Sequence, residues 1–117
     1  MAEALEFRVH PANSAVATVV LRAHITGGPQ AVEFSTNLNK LVASGVKHVV
    51  ADLSAITLIN SSGLGMLVGG LTTMRKSGGT MRFAAIPPNV MSLLEMTRLN
   101  TVFDISDSPE AALQKVL

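Results

Sequence analysis

Ser61-Ser62-Gly63-Leu64-Gly65 is the segment whose residue types and spacing best suit chemistry: two adjacent hydroxyls followed by closely spaced glycines at the start of an apolar periodic run. Four readings compete. As a phosphate-cradling loop, Gly63, Gly65 and Gly69 give G-x-G-x-x-x-G, one residue off the dinucleotide fingerprint. No acidic residue lies about 20 positions on to hold a ribose, where Arg82 to Ala85 stand, and no Gly-Lys-Ser/Thr follows. As a hydrolase nucleophile elbow, the motif needs Gly two residues before the serine, where Ile59 and Asn60 stand instead. His10, His24 and His48 also all precede the serines, against the chain order of that hydrolase class. The third reading makes Ser61 or Ser62 the cap of a helix whose tight entry uses the glycines. The fourth is phosphorylation, because free N–H groups and the helix dipole favour an anion at that place. A phosphate adds about −1.5 to −2 charges at neutral pH, a large change for a chain of formal net charge +1. Cap and phosphoserine both stay open on spacing alone.

Composition removes other classes. There is no cysteine, so thiolate metal sites, Cys nucleophiles and disulfide scaffolds are excluded, and the three His have no ligand spacing. Nine Lys+Arg against eight Asp+Glu argue against a phosphate-neutralising nucleic-acid binder, and four Phe without Trp or Tyr argue against a base-stacking platform. No acid–base pair, activated nucleophile or metal cluster is legible, so the expectation is a non-enzyme without metal or cofactor. No apolar run approaches the roughly 20 residues that span a bilayer. The start from Met1 to Glu6 lacks the layout of a signal peptide, which gives the expectation of a soluble cytoplasmic protein. The 117 residues suit one domain, expected over 1–117. Charged residues are 15%, against about 25% for average soluble domains, which points to a surface covered by a partner.

Elements to position the motif follow from periodicity. Phe7 to Pro11 and Val16 to Ile25 read as a hairpin, broken by Thr26-Gly27-Gly28-Pro29. Gln30 to Ser44 is a helix with Phe34, Leu38, Leu41 and Val42 at helical spacing, closed by Gly45. Val46 to Leu53 is a strand apolar on both faces, with His48 expected beside Val46 and Val50, and Ser54 to Asn60 is a packed connection. The motif then opens a helix to about Lys76, followed by a strand over Met81 to Ile86. A helix from Pro87-Pro88-Asn89 to about Met96, a short strand over Val102 to Ile105 and a helix starting at Ser108-Pro109 complete the chain. Met91 and Met96 are expected in or near the core. The order β-β-α-β-α-β-α-β-α implies an α/β sheet with parallel crossovers.

The helix after the motif has an evident core stripe of Leu64, Leu67, Val68 and Leu71. Its other face carries Ser62, Gly65, Met66, Gly69, Thr73, Lys76 and Ser77. Each internal glycine costs roughly 1 kcal/mol relative to Ala, with no return on a merely solvated face. Either a partner approaches the backbone there, with Met66 as an adaptable anchor, or Gly69 and Gly70 make room for a neighbouring element of the same chain. Periodicity leaves both open.

Ala51-Asp52-Leu53-Ser54, followed by Leu58-Ile59-Asn60-Ser61-Ser62-Gly63-Leu64-Gly65, resembles the signature of STAS domains, the anti-sigma-factor antagonists of bacterial partner-switching systems. The likeness continues through Lys76-Ser77-Gly78-Gly79, Ile86-Pro87-Pro88-Asn89-Val90 and Leu94-Glu95-Met96-Thr97-Arg98-Leu99 before Val102-Phe103. It implies a mixed sheet of about five strands with about four helices packed mainly on one face. It also implies no catalytic activity and a partner that is both anti-sigma factor and ATP-dependent serine kinase. Ser61 matches the family's phospho-acceptor: the unmodified antagonist binds the kinase, the phosphorylated one lets go, and a phosphatase resets it. Asp52, Asn60, Ser62 and Gly63 are expected near that site; Ser62, Gly65, Met66, Gly69 and Thr73, with Thr26 and Gly27 of the preceding turn, are expected to bind the partner. Two departures stand out. Asn60 replaces the usual Asp before the acceptor, and Ala23-His24-Ile25-Thr26-Gly27-Gly28-Pro29 replaces the usual Gly-x-Leu-Asp-type turn. Asn60 favours an alternative, a STAS scaffold subunit of a signalling or lipid-transport assembly that is never phosphorylated.

Overall fold

The computed structural model describes residues 4–117; Met1 to Glu3, on which part of the signal-peptide reading rests, lie outside them. Strands β1 (Leu5–Val9) and β2 (Val16–Ile25) precede helix α1 (Pro29–Ala43). Strand β3 (His48–Ile59), helix α2 (Ser61–Lys76) and strand β4 (Thr80–Ala84) follow. Helix α3 (Pro88–Met96), a 3-10 turn (Leu99–Thr101), strand β5 (Asp104–Ser106) and helix α4 (Pro109–Gln114) complete the order. The mixed five-stranded sheet runs β1-β2-β3-β4-β5, with β1 antiparallel to β2 and the remaining pairs parallel.

Strand order equal to chain order decides where the helices go. Crossovers between neighbouring parallel strands share one hand, so α1, α2 and α3 all fall on the same face. Residues of that face, Val19, Leu21, Val49, Ala51, Leu53, Met81 and Phe83, meet Phe34, Leu38, Leu67, Leu71, Val90 and Leu94 of the helices in one core. Phe83 and Phe103 stack at 4.2 Å inside it. Helix α4 takes the opposite face, where Ala112 packs on Val50 and Ala84. Its cap is as expected: the Ser108 hydroxyl accepts from the Ala111 N–H at 3.1 Å.

Several expectations are corrected. Ser54 to Ile59 is strand rather than connection, because β2 continues to offer it a ladder from Arg22↔Ala55 to Ile25↔Ile59. Beyond Asp52↔Ala84, β4 no longer pairs with it, so this end of β2–β3 is a two-stranded arm. Val46 lies before β3 and is buried in the helix-side core, whereas His48 pairs its Nδ1 with the Thr80 hydroxyl at 2.7 Å. Met91 is partly buried, but Met96 ends α3 at 82% exposure instead of joining the core.

Candidate functional site

The arm of β2–β3 delivers two chain segments to one place: the turn after Ile25 and the start of α2 after Ile59. Neither serine caps α2. Asn60 is the N-cap, with extended backbone and its Oδ1 accepting from the Gly63 N–H at 2.8 Å. Asn and Asp perform this task about equally, so the replacement of the usual acid keeps the helix start and removes only a charge. Freed from capping, Ser61 and Ser62 stand exposed in the first helical turn, which contains no acidic residue. An anion on either hydroxyl therefore meets unfilled N–H groups and no carboxylate within that turn.

Gly63 interlocks this helix start with the turn. A Cβ there would run into the Ile25 carbonyl oxygen, which also accepts from the Asn60 N–H at 3.3 Å. Gly27, in the left-handed region at φ 78°, lies so close that a Cβ on it would come within 2.9 Å of the Ser62 Cβ. Gly27 is thus buried against α2, which corrects its expected place on the partner-facing surface; Thr26 beside it is exposed.

Along α2 the glycines divide. Gly70 packs on the Phe34 ring and the Leu38 methyl of α1, the intramolecular explanation. At Gly65 and Gly69 a Cβ would meet nothing within 4 Å. They border a groove of about 510 Å³ between α1 and α2, walled by Ala31, Phe34 and Ser35 on one side and by Ser62, Gly65, Gly69 and Thr73 on the other. Met66 lies at the groove but is only 6% exposed, so it belongs to the core and is not the protruding anchor expected from periodicity. It belongs to the same buried cluster as Leu64, Leu67 and Leu71 of this helix. The α1 wall escaped the sequence reading, although Ala31, Phe34 and Ser35 at spacings of three and four mark one helix side.

Asp52 is the expected site residue that the fold leaves out. It sits in the middle of β3, its carboxylate accepting from the Ser54 N–H at 3.0 Å. From Asp52 to Ile59 seven residues of the bulged β3 lie against only five of β2, Val20 to Ile25, so at about 3.3 Å each Asp52 stands roughly 16 Å along the ladder from the start of α2.

The STAS domain family model matches residues 14–112, and the chain belongs to the STAS domain family. It is similar to the anti-sigma F factor antagonist of Paenibacillus polymyxa, 31% identical over 70 residues. That match covers 60% of this chain and 60% of the relative, so the chain spans well under the relative's full length. Among solved structures it is similar in fold to an anti-sigma factor antagonist from Mycobacterium paratuberculosis, with TM-score 0.77, 23% identity, and 96% and 92% of the two chains covered. It is also similar in fold to the Bacillus anti-sigma factor antagonist SpoIIAA in its phosphorylated form, with TM-score 0.71, 13% identity, and 96% and 100% covered.

Proposed function

We propose that this protein is an anti-sigma-factor antagonist that switches partners through phosphorylation of Ser61. The observation that carries the reading is the outer face of α2: exposed Ser61 at its start, and beside it Gly65 and Gly69 bordering a groove that is open among the described residues. Two helix-interior glycines at which an added Cβ would meet no described residue within 4 Å lower helix stability by roughly 1 kcal/mol each relative to Ala. A partner surface lying close against the backbone makes use of that cost. The partner is an anti-sigma factor that is itself the kinase, and the antagonist supplies an acceptor rather than a catalyst. The bound kinase transfers the γ-phosphoryl of ATP to the Ser61 Oγ: the Oγ–P bond forms, the bond from phosphorus to the departing ADP breaks, and the hydroxyl proton passes to a base of the kinase. The modified edge then carries about −1.5 to −2 charges, and repulsion and desolvation against the docked surface drive release without refolding. A phosphatase restores the hydroxyl.

The resemblance of the motif and the names of the similar proteins support this reading. A second, in which the domain is an unphosphorylated scaffold subunit, draws support from the uncharged Asn60. Binding of Ser61→Asp and Ser61→Ala to the host's anti-sigma kinase separates them. The switch predicts weaker binding by Ser61→Asp and ordinary binding by Ser61→Ala. Equal affinities contradict it.

A further inference from the structure

The turn that replaces the usual family sequence contains two adjacent glycines with positive φ, Gly27 at 78° and Gly28 at 60°, and Gly28 gives α1 no side-chain cap. Such a turn has many accessible shapes unless something selects one. Gln30, at the second position of α1, does so with both ends of its amide. Its Oε1 accepts from the Thr26 N–H at 2.9 Å, and its Nε2–H donates to the His24 carbonyl at 2.8 Å. The side chain therefore bridges backward over the glycines to the end of β2. The segment it holds contains two residues that lie against the start of α2: Ile25, whose carbonyl faces Gly63 and accepts from Asn60, and Gly27 against Ser62.

We infer that Gln30 is a positioning residue of the docking face: it fixes the His24–Gly28 turn against the first turn of α2 and so sets the shape presented beside Ser61. The inference rests on the docking reading above and adds to it a determinant in this chain's own turn. Gln30 has no predicted contact with partner or phosphate; it acts through backbone groups of His24 and Thr26.

Two variants grade the effect. Gln30→Glu retains an acceptor for Thr26 but loses the donor to His24, and Gln30→Met loses both. The first readout needs no partner: amide exchange of Thr26 by NMR is expected to be roughly tenfold faster in Gln30→Met, intermediate in Gln30→Glu, with resonances of Gly27 and Ser62 displaced. The melting temperature stays essentially constant, since the bridge is exposed. The second readout is the fraction of Ser61 phosphorylated when each variant is purified from its own host, expected in the order parent, Gln30→Glu, Gln30→Met. Parent-like exchange at Thr26 overturns the bridge. A phosphorylated parent beside an equally phosphorylated Gln30→Met overturns the positioning role alone. A parent without phosphate in every growth phase contradicts the switch, and with it any part for Gln30 in docking, whatever the exchange shows.

Discussion

The two sides of α2 use the same residue type for opposite purposes. On the inner side, Gly63 and Gly70 are buried where a single added carbon collides with the Ile25 carbonyl or the Phe34 ring. On the outer side, Gly65 and Gly69 are exposed and border empty space. Inner glycines are explained by the fold, and outer ones are not. The difference separates residues that let α2 sit on the sheet from residues that keep a groove open beside Ser61.

Substitution at each position can break or sharpen that contrast. Gly63→Ala has the largest expected effect, a loss of about 3 kcal/mol or more, because backbone atoms of β2 must move. Chemical denaturation measures it, and a loss below about 1 kcal/mol would show that the arm and α2 are not interlocked. Gly70→Ala follows at about 1–3 kcal/mol, since the buried Phe34 ring must shift. Gly27→Ala is next at about 1–2 kcal/mol from its left-handed backbone and its contact with Ser62, with partial rescue expected from Ser62→Gly in a double-mutant cycle. Gly65→Ala and Gly69→Ala have the smallest effect on stability and the opposite sign, each raising it by up to about 1 kcal/mol. Both are expected to weaken binding to the anti-sigma kinase by narrowing the groove. A stabilised double variant that binds like the parent would leave the outer glycines without a purpose.

Much of this was readable from the chain because local rules and tertiary packing agree. Alternating strands and helices, Gly45 and Ser77-Gly78 after their helices, and Ser108-Pro109 before α4 mark the elements, and the signature around Ser61 marks the family. What escaped depends on distance in sequence. Helical periodicity puts Met66 among small outer residues but cannot tell how a flexible thioether packs, and here it is buried. The separation of Gly69 from Gly70 depends on where Phe34 lies, thirty-five and thirty-six positions earlier. Asp52 is expected near the site from a strand that reads as ending at Leu53, whereas pairing with β2 carries β3 on to Ile59 and leaves the carboxylate away from the serine. Asn60 reads as a lost charge next to the acceptor; as the cap of α2 it keeps the geometry, and Ser61 remains exposed. The Gln30 bridge has no pattern in the sequence, since it forms only after the turn has folded back onto α1.

The most direct test of the switch is the intact mass of the protein purified from its own host under several growth conditions, with and without phosphatase, followed by peptide mapping. A phosphatase-sensitive phosphoryl increment on Ser61 is the predicted result. An unmodified chain under every condition would contradict the switch and favour the scaffold reading, and a phosphate on Ser62 instead would contradict the assignment of the acceptor.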